Sequence, residues 1–334
     1  MSSYRPRVAV GLFAFALGAF LLVAPASSVA VAQKGKGFQK KKEPEAPPPN
    51  LTLPDDWAKA FDWRSIGPAN MGGRITAISV YEADPTTYYV ATASGGLLKT
   101  TNNGVTFEHQ FDKEATVSIG DVCVAPSNRN VVWVGTGETN PRNSVSHGDG
   151  VYKSTDGGKK WSNMGLKKTF QIGKILIHPT NPDVVYVGAL GRLYGPNEDR
   201  GLYKTTDGGQ SWEKVFYIDD KTGVIDARMD PTDPNVIYVA MWEVRRDEYD
   251  SWPGGGLPDG YDSYDPVRKW GAGAGIYKTT DGGKTFTKLT KGLPTGQMGR
   301  IGLDIYRKDP KTLFAIVDCE NIGKGTPPKK TAEP

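Results

Sequence analysis

No window of apolar and polar positions along this chain keeps the 3.6-residue period of a helix. Runs of 5–8 residues rich in β-branched and aromatic side chains recur instead, with turn residues between them. Such runs are typical of strands. The pattern therefore predicts an all-β protein with little helix.

Three phrases recur in a fixed order and define a repeat. The first supplies strand a, in the runs RITAISV, SIGDVCV, QIGKILI, GVIDARM and RIGLDIY. The second supplies strand b, in DPTTYYVATA, SNRNVVWVGT, NPDVVYVGAL, DPNVIYVAMW and DPKTLFAIVD. The third supplies strands c and d, in LLKTTNNGVTF, VYKSTDGGKKW, LYKTTDGGQSW and IYKTTDGGKTF. Four antiparallel strands in about 50 residues is the period of a propeller blade, so we predict a β-propeller.

The repeats set the expected boundaries. The propeller body covers residues 57–319, with complete blades at about 73–111, 117–166, 171–218 and 223–290, and a partial fifth at 299–319. The fifth repeat has strands a and b but no third phrase, so the ring is expected to be incomplete. Either FDWRSIGP at residues 61–68 supplies a strand, since Trp63 mimics the repeated aromatic, or the chain is an N-terminal fragment of a larger protein. We favour the fragment, because a missing strand leaves an unpaired edge.

The c–d phrase matches the Asp-box motif, S/T-x-D-x-G-x-T/S-W/F. Its Asp stands at Asp156, Asp207 and Asp281, and Asn102 replaces it in the first repeat. A short acidic side chain can accept backbone N–H bonds within its own turn, and Gly adopts positive φ at little cost. We therefore predict a structural role for these four residues rather than a catalytic one.

These motifs resemble the Asp-box, or BNR-repeat, propeller superfamily over residues 61–319. That group includes sortilin-type N-terminal propellers, sialidases and xyloglucanase-type glycosidases. The stretches GRITAISV and GTGETNPRNSVSHGDGVYKSTDGGKKW look most like secreted bacterial proteins labelled sortilin N-terminal or BNR-repeat glycosyl hydrolase. The resemblance implies binding or glycoside hydrolysis, but neither the sialidase arginine set nor the paired acids of the xyloglucanase type can be assigned here.

The N-terminal segment predicts export. Arg5 and Arg7 precede an apolar run over residues 8–24, and Ala30 and Ala32 form an A-x-A site. These features are typical of a secretory signal peptide over residues 1–32, and an uncleaved membrane anchor is the alternative. Residues 33–56 predict a flexible Lys/Pro-rich tether, and residues 320–334 a disordered tail of the same kind.

Composition then argues against several kinds of function, among them nucleic-acid binding and metal binding by several histidines. The net charge is +4, but residues 1–50 hold seven basic and two acidic side chains, so the excess lies in the tails. The folded body gives no charge argument for nucleic acid. Only 3 His and 2 Cys are present, and we expect no cofactor and no multi-His metal site.

Long b–c loops are the expected binding face, because long loops on a rigid scaffold usually carry function. The repeat-two loop concentrates polar side chains that suit a hydroxylated or charged ligand: Glu138, Asn140, Arg142, Asn143 and His147. The repeat-four loop adds aromatic side chains among acids: Tyr249, Trp252 and Tyr261. Its carboxylates, Asp259, Asp262 and Asp265, are weak calcium candidates, since their spacing matches no EF-hand. A self-bonded or solvated loop is the alternative in each case.

Alignment of strand a places Asp121, Lys174 and Asp226 in one column near the axis. As chemistry, Asp121 and Asp226 are weak candidates for a glycosidase acid pair. As structure, Lys174 would bridge two aspartates and neutralise them. The sequence as a whole predicts an exported binding module for a protein, peptide or glycan; the alternative is a glycoside hydrolase of the same fold.

Overall fold

The computed structural model describes residues 73–141, 145–245 and 269–321. Within these ranges the chain forms 18 strands and one 3-10 turn, at Lys167–Thr169. The strands make four four-stranded sheets and one two-stranded sheet, and the all-β prediction is confirmed. The predicted signal peptide, tether and segment 61–68 lie outside the described residues, as does the tail after residue 321.

Each of the first three sheets is an antiparallel meander of consecutive strands. Blade 1 consists of β1 (Ile75–Val80), β2 (Tyr88–Thr92), β3 (Leu97–Thr100) and β4 (Glu108–His109). Blade 2 consists of β5 (Ile119–Ala125), β6 (Asn128–Thr136), β7 (Val151–Ser154) and β8 (Ser162–Asn163). Blade 3 consists of β9 (Ile172–Ile177), β10 (Val185–Ala189), β11 (Gly201–Thr205) and β12 (Glu213–Phe216).

The fourth sheet repeats this order and the fifth stops after two strands. Blade 4 consists of β13 (Thr222–Met229), β14 (Ile237–Glu243), β15 (Gly275–Thr279) and β16 (Thr287–Lys288). Blade 5 consists of β17 (Met298–Ile305) and β18 (Leu313–Cys319). The first strand of each sheet contacts the first strand of the next, from β1 through β5, β9 and β13 to β17. This succession is the arrangement of a β-propeller, as the repeats predicted.

The aromatic residue of the second, third and fourth Asp-box phrases packs against the preceding blade. Trp161 donates from Nε1 to the carbonyl of Gln110 at 2.7 Å, and Trp212 donates to Met164 at 2.8 Å. Phe286, which has no donor, stacks on Phe216 with ring centroids 4.2 Å apart. The motif therefore joins neighbouring blades by burying one large apolar face at each junction.

The Asp side chain of the motif closes its own turn. The Asp207 carboxylate accepts from the Ser211 amide at 3.0 Å, from the Ser211 hydroxyl at 2.6 Å and from Thr205 Oγ1 at 2.7 Å. These bonds to the charged form lower the pKa of Asp207, with the Ser211 hydroxyl the largest cause. Asn102 reproduces the pattern, since its Oδ1 accepts from the Thr106 amide at 3.0 Å.

We expect the acid sensitivity of the fold to depend on these turns. Hydrogen bonds lower the pKa of Asp156, Asp207 and Asp281, so their stabilising effect is present above the unfolded pKa and is lost as pH falls. A triple Asn variant should lose less stability than the wild type between about pH 5 and pH 2, and be somewhat less stable at pH 7. Denaturant unfolding at each pH measures this; parallel curves for the two proteins would contradict it.

Candidate functional site

The b–c and d–a loops meet on one face of the propeller. In blade 2 the hydroxyl of Ser118, which follows a d–a loop, donates to the Ser146 carbonyl of the b–c loop at 3.1 Å. In blade 3 the b–c residue Asn197 donates its amide to Asp220 at 2.8 Å and its side chain to Lys168 at 3.2 Å. The Asp-box turns lie on the other face, since Gly157 and Gly208 donate to the a–b turn residues Asn130 and Asp183.

Four side chains form a hydrogen-bonded group on the b–c face, which we call the Glu138 cluster: Arg74, Glu138, Asn140 and Arg300. Arg74 donates to Glu138 Oε1, and Asn140 donates to the same oxygen at 3.2 Å. Arg300 donates from Nη1 to Asn140 Oδ1 at 2.7 Å. The cluster therefore joins side chains of blades 1, 2 and 5, which are far apart in the sequence.

The cluster combines one buried acid with two exposed bases. The Glu138 side chain is 3% exposed, whereas that of Arg74 is 44% exposed, and Arg300 is also exposed. The Arg300 guanidinium lies 5.8 Å above the centre of the Trp242 ring. Burial lowers the pKa of Arg300, and the carboxylates of Asp226 and Glu138 both oppose this, so the two guanidinium groups lie near two carboxylates. Such a group can bind a carboxylate or a hydroxyl-rich ligand.

Backbone geometry fixes the position of Glu138. Its amide donates to Ser118 Oγ at 3.0 Å, and the preceding Gly137 donates to the Ser118 carbonyl at 2.8 Å. Gly137 has φ +89°, and a Cβ there would lie 1.9 Å from the Phe170 carbonyl. Only glycine fits this close approach, so the turn after β6 directs Glu138 to the face in one conformation.

The repeat-three loop is held by a buried arginine. Arg200 is fully buried and donates to the carbonyls of Leu190, Arg192 and Asp220. Burial lowers its pKa to about 10, so it stays charged at neutral pH. The guanidinium thus joins the b–c loop of blade 3 to the d–a loop that follows.

The two axial aspartates both bond to the next inner strand. Asp121 accepts from the Ile175 amide at 2.7 Å and from Lys174 Nζ at 3.3 Å. Asp226 accepts from the Leu303 amide at 2.9 Å. We expected Lys174 to bridge both acids; among the described contacts it pairs with Asp121, while Arg228 at 2.5 Å pairs with Asp226. Arg228 lies two residues after Asp226 on the same strand and the same face, so it reaches the acid first.

The burial of the Asp121 carboxyl predicts how the stability of the protein depends on pH. Burial raises its pKa, and Lys174 only partly opposes this. A carboxyl with a raised folded pKa contributes stability below its unfolded pKa and loses it as pH rises through the folded pKa. We expect wild-type stability, relative to Asp121→Asn, to fall in denaturant titrations as pH rises above the unfolded pKa of about 4. A difference that grows with pH would mean that the pair with Lys174 dominates.

The structure locates only some of the sequence-predicted ligand residues. It brings Glu138 and Asn140 together, whereas His147 is exposed and its ring lies 6.2 Å from that of Phe170, outside the cluster. The others fall in residues 142–144 and 246–268, outside the described part: Arg142, Asn143, Tyr249, Trp252, Tyr261, Asp259, Asp262 and Asp265.

Sequence reasoning missed Arg74 and Arg300. Each arginine lies in a Gly-Arg-Ile sequence at the start of strand a, three residues before the axial column of Asp121 and Asp226. The recurrence of Gly-Arg-Ile in the first and fifth repeats was the signal that could have identified them.

Among the described residues, no group of three His, Cys, Asp or Glu side chains is arranged to hold a metal ion. No helix in the same ranges has the length and apolar character to cross a membrane.

Two solved structures share this fold. An ancestral GH74 enzyme matches with a TM-score of 0.51 at 18% identity, covering 72% of this chain and 27% of that one. The GH74 xyloglucanase from Xanthomonas campestris matches with a TM-score of 0.50 at 17% identity, covering 73% of this chain and 35% of that one. At these identities the likeness shows the propeller fold alone.

Sequence comparison gives one curated relative and one family. A Neosartorya fischeri protein named "Probable oligoxyloglucan-reducing end-specific xyloglucanase" is 26% identical over 187 residues, which are 53% of this chain and 21% of that protein. The chain thus spans about a fifth of the length of this relative. The family described as "Sortilin, neurotensin receptor 3" matches residues 149–324. Because that match spans more than half of the 334 residues, the chain belongs to the Sortilin-Vps10 family.

Proposed function

We propose that this chain is a binding module that recognises a protein, peptide or glycan ligand through the b–c face of its propeller. The Glu138 cluster is the observation that carries the proposal, because it gathers polar side chains of three blades, two of them exposed arginines, near the start of the inner strands. Polar groups that converge from separate elements onto one exposed point are typical of a recognition site.

The charge of the cluster narrows the ligand chemistry. Glu138 is buried and already paired with Arg74, so the exposed edges of the two guanidinium groups face solvent. A ligand carboxylate, from a peptide or an acidic sugar, would accept hydrogen bonds from both. The nearby Trp242 ring under Arg300 restricts where that guanidinium can lie.

Binding should depend on both arginines and on salt. We expect Arg74→Ala with Arg300→Ala to weaken binding at least about tenfold, or roughly 1.4 kcal/mol, and added salt to weaken it in the wild type. Arrays of acidic oligosaccharides and of peptides with free C-termini supply the probes, and titration calorimetry measures affinity. Arg129→Ala, an exposed arginine next to an a–b turn on the opposite face, is the control. Equal loss in the control would refute the proposed face.

A glycoside hydrolase is the second candidate, and the similarity to a xyloglucanase favours it. Asp121 and Asp226 would then supply the acids, although each also bonds to a neighbouring strand. Release of reducing ends from xyloglucan by the wild type, lost in Asp121→Asn or Asp226→Asn while folding is retained, supports the enzyme. Binding without cleavage supports the module.

We further propose that the protein is exported by residues 1–32, and that it contacts a membrane only if this segment stays attached. Arg5, Arg7 and the A-x-A site support this. N-terminal sequencing of the exported protein should begin at residue 33. A start at residue 1 or 2 would indicate the anchored alternative.

A further inference from the structure

A groove of about 480 Å³ lies between blade 4 and the last strand of blade 5. Its apolar lining comes from strand c and the end of strand d in blade 4, and from one face of β18: Ile276, Leu289, Leu313, Ala315 and Val317. β18 is half-buried or exposed along its length, whereas its counterpart β10 in blade 3 is buried throughout.

The same surface exists two junctions earlier, between blades 2 and 3, where it is covered. Alignment of the repeats places Val151 and Met164 of blade 2 where blade 4 has Ile276 and Leu289. The facing residues of β10, Val185, Val187 and Ala189, correspond to Leu313, Ala315 and Val317. In blade 3 this set packs in one cluster with Tyr203 of strand c and Trp212 of the Asp-box. The groove thus has the lining that an Asp-box aromatic contacts elsewhere in this protein.

The polar groups around the groove repeat as well. Gln110 and Met164 each accept a Trp Nε1–H while donating their own amide to strand c of their blade. Leu289 occupies the same position and donates its amide to Ile276 at 2.8 Å. Its carbonyl is therefore placed to accept the Nε1–H of a further Asp-box tryptophan.

A Tyr–Lys pair in blade 4 is independent evidence that a further Asp-box turn can bind to this blade. In blade 1, Tyr89 and Lys99 both donate to the carbonyl of Gly157, the Asp-box glycine of the next blade. In blade 3, Tyr186 and Lys204 both donate to Gly282 in the same way. Blade 4 has the equivalent pair, with Lys278 Nζ 5.0 Å above the Tyr238 ring. Across the described ranges, no turn carbonyl is bonded to either side chain of that pair.

We propose that this groove, together with the edge of β18 that pairs with no strand in the described ranges, is a docking surface for a fifth Asp-box hairpin, which adds as strands c and d of blade 5. Continuity with the existing blade junctions supports the assignment. The Leu289 carbonyl has counterparts at the first and second junctions, the Tyr238–Lys278 pair has counterparts at the first and third, and the apolar lining has one at the second. Addition of a strand to a sheet edge is a known mode of peptide recognition. The register of blade 3, where Val187 opposes Tyr203, predicts that Ala315 opposes the hairpin tyrosine.

The test uses the full chain and a labelled peptide copied from residues 201–216, GLYKTTDGGQSWEKVF. We expect saturable binding by fluorescence anisotropy, weakened at least about tenfold in a peptide carrying Trp212→Ala. In the protein, Ala315→Arg should abolish binding because it fills the groove. Ile316→Arg, the same change on the opposite face of β18 at a residue 83% exposed, should leave binding within about twofold.

Each other outcome overturns the proposal. No saturable binding, or equal binding of the Trp212→Ala peptide, means that the groove does not recognise the aromatic; this comparison does not depend on the folding of any protein variant. Peptide binding that appears only in a Trp63→Ala protein means that segment 61–68 takes the groove instead. A dimer that Ala315→Arg dissociates in sedimentation velocity means that a second copy covers it.

Discussion

Replacement of Trp133 by alanine should lower the free energy of unfolding by about 3–5 kcal/mol, the range for a large aromatic residue removed from a core. Trp133 lies on β6 and is fully buried. Its ring meets that of Trp212 edge-to-face at 5.9 Å, and Lys153 Nζ lies 5.1 Å from its centre. The Trp133 Nε1–H has no partner in the described structure, so the loss is almost wholly one of packing.

Trp133→Ala should destabilise blade 3 as well as blade 2, because Trp133 and Trp212 join these two blades. Urea unfolding of the full chain measures the free energy, and near-ultraviolet circular dichroism reports the tryptophan environment. Phe107→Ala is the matched control: Phe107 is 42% exposed, and its ring centroid lies 6.1 Å from that of Tyr88. We expect a loss of about 1 kcal/mol there. Similar losses at both positions would contradict a core at this blade junction.

Replacement of Arg200 by methionine should cost a similar amount, about 3–5 kcal/mol. The carbonyls of Leu190, Arg192 and Asp220 would each lose a donor, and two of them lie in the b–c loop of blade 3. Methionine keeps much of the apolar volume, so the change isolates the loss of hydrogen bonds. We expect faster amide exchange in residues 190–200 and at Asp220, since the guanidinium connects these loops.

Arg192→Met provides the comparison for that experiment. Arg192 is exposed and its guanidinium lies 5.1 Å from the Phe170 ring centre, a cation–π contact worth about 0.5–1 kcal/mol at an exposed site. Hydrogen exchange by mass spectrometry and urea unfolding give both readouts. Unchanged exchange at residues 190–200 in Arg200→Met would show that the loop is held by its other contacts.

The repeated phrases were sufficient to predict the blades, because each strand and turn of a blade is specified by a local pattern. The Asp-box illustrates this: Thr205, Asp207 and Ser211 bond to one another within seven residues of chain. Local hydrogen bonds of this kind form wherever the motif occurs, so its geometry follows from the sequence alone.

The candidate site was only half predictable. Glu138 and Asn140 were found because they crowd one loop, but Arg74 and Arg300 lie 64 and 160 residues from their partners. A contact at that separation depends on how the inner strands come together, which no local pattern encodes. The pair of Asp226 with Arg228 is different: it lies within one strand, so the two-residue period of a strand was a local signal for it.

Local sequence patterns therefore specify the repeat, the strand order and the Asp-box turns, all of which depend on neighbours within a few residues. The tertiary structure alone decided which side chains of different blades meet, in the Glu138 cluster and in the groove beside Leu289. The physical reason is that contacts between blades depend on the distance and tilt of packed sheets. Those quantities are set by the whole set of blade junctions rather than by any one repeat.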